Sequence, residues 1–338
     1  MFCTLEVFNS YYPKVIDIIN KYLNCRTVDF VISHINELIQ YSIGGGKCAR
    51  GILTASSYLE LTGYSIEDKM GDVGFILGWA IELLQAAFLV ADDLMDRSQT
   101  RRGKMCWYLK DGVGDTAVND TLIIENLVFV IIDSLRGEYL DDETVDEIVS
   151  ELRRIITLTT IGESLDTKAT EFDFKWYNVI VENKTSYYTF WIPAIISIIA
   201  SKKIPYDKYM SEDFTKFLLD FGMFFQVQDD YLDVFSDEKV TGKRGTDIID
   251  RKITWLSCKA YELSNSQQKE LLTKSYETPE ERYKAIYQLY LDLDIKLKFG
   301  EFSKEQICKL NEQLEKLDPI YPKKTLSSLF ASLSKRKK

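Results

Sequence analysis

An all-α fold is predicted for this chain of 338 residues on three observations. Apolar residues recur at helical spacing along most of the sequence, and no stretch alternates strongly enough to build a sheet. No proline occurs between Pro13 and Pro193, and no Gly/Ser/Pro-rich linker divides the chain. With 46% apolar and 13% aromatic residues it can bury a large core. One helical domain over 1–338 is expected, with flexible ends at 1–12 and 334–338.

The elements follow in order. Val15, Ile16, Ile18, Ile19, Tyr22 and Leu23 lie at helical spacing, as do Phe30, Val31, Ile35, Leu38 and Ile39. Gly44-Gly45-Gly46 announces a loop. Residues 71–97 are apolar almost all round, the mark of a helix inside a bundle, and a loop is expected from Arg101 to Gly114. Ile148, Leu152, Ile155, Ile156 and Thr159 indicate an amphipathic helix. Segments 172–200 and 207–236 are again apolar all round, Ser236 to Gly245 reads as a loop, and Ser334-Lys335-Arg336-Lys337-Lys338 is a basic tail.

Composition narrows the function classes. A net charge of −10 argues against general nucleic-acid affinity, which needs a basic footprint. It leaves room for small anions, because a local cationic cluster or a bound metal outweighs a diffuse field. The six cysteines form no CxxC pair and the N-terminus has no basic-then-apolar leader, so a cytoplasmic, reducing setting is the simplest expectation. The longest apolar stretch, around Trp191 to Ala200, is too short for a membrane span.

The chemistry concentrates in a doubled acidic motif. Asp92-Asp93-Leu94-Met95-Asp96 and Asp229-Asp230-Tyr231-Leu232-Asp233 each close a long apolar run, LLQAAFLVA and FLLDFGMFFQVQ. Helical residues four apart share a face, so Asp92 and Asp96 point together, as do Asp229 and Asp233. Two unit charges 4 Å apart repel by about 4 kcal/mol at an effective dielectric of 20, which invites a compensating cation. Oxygen ligands without nearby His or Cys favour Mg²⁺, which takes one or two carboxylates plus substrate phosphates. One such motif alone is as easily a solvated helix end; two, each after a buried run, point to a magnesium–diphosphate site. An EF-hand lacks its Asp/Asn alternation here, and a di-iron site lacks its histidines, since His34 is single and reads as structural.

Basic clusters accompany the acids. Gly44-Gly45-Gly46-Lys47-Cys48-Ala49-Arg50-Gly51 is no Walker A loop, with Tyr41 for the first Gly and Cys48 for Ser/Thr. Taken alone it is a solvated helix start as readily as an anion site. Arg101 and Arg102 follow the first acidic motif, and arginine binds phosphate bidentately without losing its charge. Lys184-Thr185 lies between a polar helix start and an aromatic run, where snorkelling is the commoner explanation of a lysine. Thr241-Gly242-Lys243-Arg244-Gly245 and Lys252 follow the second motif.

This ordered set resembles the trans-prenyl diphosphate synthases, of the farnesyl diphosphate type above all. LLQAAFLVADDLMDRSQTRRGKMCWY, ENKTSYY and FFQVQDDYLDVF…VTGKRGTDI match the family's blocks, from about Tyr41 to the C-terminus. The resemblance implies an all-α bundle around a deep central cavity, a homodimer, and condensation of isopentenyl diphosphate with an allylic diphosphate. It implies three Mg²⁺ ions bound by Asp92, Asp96 and Asp229, with Asp93, Asp230 and Asp233 acting nearby or through water and Asp166 on a third helix. Arg101, Lys184, Lys243 and Lys252 would hold the allylic diphosphate. Lys47, Arg50, Gln85 and Arg102, helped by the basic tail, would hold isopentenyl diphosphate, and Thr185 and Gln226 would steady a carbocation.

Two positions depart from the family pattern. Ala87 precedes Phe88 where farnesyl synthases commonly carry two bulky aromatics, which predicts a deeper pocket, a floor at Leu84 and Ile81, and products reaching geranylgeranyl diphosphate. Glu163 stands where Gln is frequent and reads either as a tuned group beside the metals or as surface variation. A terpene synthase on this scaffold would not need Lys47, Arg50, Gln85 and Arg102. A non-catalytic partner subunit would not need Asp229, Asp230 and Asp233.

Overall fold

The computed structural model describes residues 3–236 and 245–334. The helices, in chain order, are α1 (Leu5–Ser10), α2 (Tyr12–Asn24), α3 (Asp29–Ile43), α4 (Ala49–Thr62), α5 (Asp72–Met95) and α6 (Ala117–Asp133). There follow α7 (Asp142–Lys168), α8 (Phe174–Val181), α9 (Ile192–Ser201), α10 (Tyr206–Tyr209) and α11 (Glu212–Phe235). The last are α12 (Trp255–Leu263), α13 (Ser266–Thr273), α14 (Pro279–Asp292), α15 (Ile295–Lys316) and α16 (Lys323–Ser334). The only sheet among the described residues is a hairpin of β1 (Thr100–Arg101) and β2 (Lys104–Met105). The chain is all-α.

The chain divides into two compact units interleaved along the sequence. The first comprises the described residues of Met1–Arg153, Ile192–Met210 and Asp318–Leu329. Its axis is α5, which packs against α3, α4, α6 and α9. Where α4 crosses α5, a Cβ on Gly51 would lie 2.8 Å from Glu82 Cγ and 2.9 Å from the Gly78 carbonyl. Only glycine allows that approach. α5 is long and apolar enough to cross a bilayer, longer than the stretch singled out in the sequence, because Glu82 and Gln85 interrupt the run without ending the helix. In the fold 83% of its most apolar window is buried inside the protein, as in the core helix of a globular unit.

The second unit comprises the described residues of Arg154–Trp191, Ser211–Leu317 and Phe330–Lys338. Its axis is α11, which starts where Ser211 accepts from the Phe214 N–H and Glu212 and Asp213 complement the helix dipole. Phe214, Phe217, Phe221 and Phe224 are fully buried; truncating any one to Ala costs about 3–5 kcal/mol. α11 packs against α8, α12, α15 and the segment Glu182–Trp191. That segment is a π-helix, where the sequence predicts ordinary helix across 172–200.

The π-helix is clamped by two glycines. A Cβ on Gly162 of α7 would fall 2.3 Å from the Lys184 nitrogen, and one on Gly222 of α11 would fall 2.5 Å from Ser186 Cα. Both neighbours therefore press directly on its backbone. Single π-turns occur often at functional sites, and Lys184 and Thr185 lie within this one rather than beside a polar helix start.

Candidate active site

The first acidic motif ends α5. Asp92 and Asp96 are partly exposed, whereas Asp93, turned about 100° away on the helix, is 4% exposed. Arg101 reaches both neighbours: its Nε donates to Asp93 Oδ1 at 2.9 Å and its Nη2 to Asp93 Oδ1 at 2.5 Å and Asp92 Oδ2 at 2.9 Å. Burial pushes the Asp93 pKa up against the pull of Arg101, while the two carboxylates hold the arginine's charge firmly in place.

The hairpin aims the arginines. Arg102 and Gly103 both have positive φ (54° and 74°), the backbone of a type I′ turn, and Arg101 pairs with Lys104 across it. Arg102 Nη1 donates to the Ser42 and Ile43 carbonyls at 3.2 and 2.9 Å, closing the end of α3. Its guanidinium lies flat on Gly46, where a Cβ would stand 2.9 Å from it. The triple-glycine loop is thus a seat for Arg102. A shallow cleft lined by Tyr41, Asp93, Arg101, Arg102, Lys104 and Trp107 opens here.

Arg50 is buried at the start of α4, and Lys47 is exposed just before it. Beneath them lies a residue the sequence reading passed over. Glu82, 4% exposed, accepts from the Gly51 N–H at 2.8 Å. Burial raises its pKa, opposed by that bond and by the charges of Arg50 and Arg102. Gln85 stands three residues further along α5. A lone carboxylate inside an apolar run was the available signal, because it needs buried partners. Ala87 is 3% exposed, Leu84 and Ile81 are buried on the same helix, and Phe88 is half-buried.

The second motif lies on α11 and repeats the burial pattern of the first. Asp229 and Asp233 are partly exposed, and Asp230 is 3% exposed. Asp230 Oδ1 accepts from Gln226 Nε2 at 2.8 Å; Oδ2 accepts from the Tyr177 hydroxyl at 2.7 Å and the Trp255 N–H at 2.8 Å. Burial nevertheless pushes its pKa up to about 7. The carboxylate requires donors, so Gln226 turns its amide nitrogen to Asp230 and its Oε1 to the Thr185 hydroxyl, 2.8 Å away. Asp233 Oδ2 accepts from the Asp247 N–H at 3.1 Å.

Within this same unit, Asp166 of α7 is gripped by two lysines. Lys184 Nζ lies 2.8 Å and Lys252 Nζ 2.9 Å from Asp166 Oδ2. Burial alone would raise the Asp166 pKa, but the two ammoniums hold it below the ordinary value. Lys184 also donates to Glu163 at 3.1 Å, so Glu163 belongs to this cluster and is not surface variation. Lys243 lies outside the described residues.

These residues fit a diphosphate-bound Mg²⁺. The donor sets are all oxygen, and among the described residues no three His, Cys, Asp or Glu side chains converge as a ready-made cage. Mg²⁺ typically keeps water and phosphate oxygens beside one or two carboxylates, a number that Asp92 with Asp96, or separately Asp229 with Asp233, can supply. Asp230 already spends both oxygens on protein donors, and Asp93 Oδ1 accepts twice from Arg101.

Residues 32–293 match the polyprenyl synthetase family model. The chain is 33% identical to the farnesyl pyrophosphate synthase of Gallus gallus, covering 98% of this chain and 92% of that protein. It is 36% identical to that of Zea mays, over 90% of this chain and 88% of the relative. Among solved structures, the farnesyl diphosphate synthase of T. brucei complexed with a bisphosphonate superposes with a TM-score of 0.88 at 25% identity, covering 99% of this chain and 100% of that one.

Proposed function

Because this chain belongs to the polyprenyl synthetase family and is a short-chain prenyltransferase, we propose that it joins isopentenyl diphosphate to dimethylallyl, geranyl and farnesyl diphosphate. Farnesyl diphosphate is a product and, through the small Ala87, geranylgeranyl diphosphate another. The observation that carries this reading is the shared design of the acidic motifs, in which the first and fifth carboxylates stay accessible and the second is locked inside.

We assign Asp92, Asp96 and Asp229 as the Mg²⁺ ligands, with Asp233 and Asp166 in support and Asp93 and Asp230 as struts. Bound Mg²⁺ would supply charge neutralisation for the departing diphosphate. Arg101, Lys184, Lys252 and Lys243 hold the allylic diphosphate, and Lys47, Arg50, Arg102 and Gln85 hold isopentenyl diphosphate. Arg101, Lys184 and Lys252 each pair with carboxylates, so diphosphate binding exchanges partners: the cations turn to the anion and the carboxylates to the metal.

Ionisation of the allylic substrate leaves a carbocation. The Thr185 hydroxyl donates its hydrogen bond to Gln226 Oε1, so its oxygen keeps lone pairs that can face that cation. No protein nucleophile takes part. The released diphosphate can remove the final proton, in keeping with a chain whose single histidine, His34, is bonded to Asp120.

Two further assignments belong to this reading. Val118 and Leu122, four apart on α6, are exposed apolar residues and suit a homodimer contact. All six cysteines are free thiols, which suits a reducing cytoplasm. The reading is tested by incubating the protein with labelled isopentenyl diphosphate and each allylic primer, with Mg²⁺ or with EDTA, and sizing the products. Primer consumed without label incorporation would indicate a cyclase instead.

A further inference from the structure

Lys184 sits in a fork. Its ammonium lies 3.1 and 3.0 Å from the two oxygens of Glu163 and 2.8 Å from Asp166. Glu163 and Asp166 are three apart on α7 and share a face. The close approach at Gly162 fixes the root of the Lys184 side chain against that face. With Lys252 also on Asp166, two carboxylates and two ammoniums meet here among the described residues.

A diphosphate must draw Lys184 out of this fork. The pull of Asp166 weakens once a cation occupies its oxygens. Glu163, one turn back, keeps its charge and its hold.

We propose that Glu163 is a positioning residue that restrains Lys184, loosening the grip of this chain on the allylic diphosphate and speeding diphosphate release. The inference rests on Lys184 being a diphosphate ligand. Glu163→Gln keeps the shape and an acceptor for Lys184 while removing one negative charge. At about 3 Å that charge is worth roughly tenfold in affinity even at the dielectric of water, near 80.

The test is calorimetric titration of inorganic pyrophosphate with Mg²⁺ into the wild-type protein, Glu163→Gln, Lys184→Gln and the double variant. Glu163→Gln is expected to bind about tenfold tighter, to lower KM for the allylic substrate, and to leave KM for isopentenyl diphosphate unchanged. In the Lys184→Gln background the gain should largely vanish, as for residues acting through one another. Unchanged or weaker binding by Glu163→Gln overturns the proposal, as does a full gain without Lys184. If the wild-type protein binds no pyrophosphate, the functional reading itself fails.

Discussion

The Tyr177 hydroxyl donates to Asp230 Oδ2 across 2.7 Å, and with the Trp255 N–H and Gln226 it sets Asp230 apart from Asp229, its neighbour in sequence. One is a strut of the helix core; the other is partly exposed. Tyr177→Phe should therefore cost stability, about 1–2 kcal/mol for one bond to a buried carboxylate, measured by urea unfolding. Asp229→Asn should leave the unfolding midpoint nearly unchanged and lower kcat roughly 10²–10³-fold. Equal loss of stability in both variants would contradict this division of labour.

Arg101 binds two carboxylates through one planar fork, a geometry that lysine cannot copy. Arg101→Lys should raise KM for the allylic substrate and lower kcat/KM by about tenfold or more, while KM for isopentenyl diphosphate holds. Steady-state kinetics with each substrate varied in turn decides the matter.

Ala87 is buried one helical turn from Leu84, and a turn, about 5 Å, is comparable to one isoprene unit. Ala87→Phe should shift the products toward farnesyl diphosphate and away from geranylgeranyl diphosphate, at a stability cost of about 1–3 kcal/mol for overpacking. An unchanged distribution in radio-chromatography removes Ala87 from the control of chain length.

Asp220 is half-buried on α11. Burial by itself raises its pKa, yet Gln313 at 2.8 Å, Lys309 at 3.0 Å and Lys216 at 3.1 Å hold it below the ordinary value. Such a depressed group stabilises the fold above the unfolded-state pKa of about 4, and this contribution is lost as pH falls through the folded value. Asp220→Asn should flatten the acid limb of a stability-against-pH curve. An unaltered limb shows that the cluster contributes nothing.

Much of this was legible in the sequence, and the misses have physical causes. Spacing alone put Asp92 with Asp96 and Asp229 with Asp233, because the helical period is fixed by backbone geometry. The same period placed Asp93 and Asp230 a third of a turn away, but whether that direction meant core or solvent depended on Arg101, Tyr177 and Trp255, all remote in sequence. Regular helix and π-helix share a composition, so Glu182–Trp191 read as one apolar helix; Gly162 and Gly222, which press on it, looked unexceptional. Lys184 and Glu163 lie 21 residues apart, and nothing local announces their fork. Glu82 gave a true signal, a carboxylate amid apolar residues, whose partner at Gly51 only packing discloses.

The most direct test is anomalous diffraction from crystals grown with Mn²⁺, standing in for Mg²⁺, and inorganic pyrophosphate. The account expects metal peaks within coordination distance of Asp92, Asp96 and Asp229, with Asp93 still on Arg101 or another protein donor and Asp230 still on Tyr177. Peaks ligated by Asp93 and Asp230, or none at either motif, would contradict it.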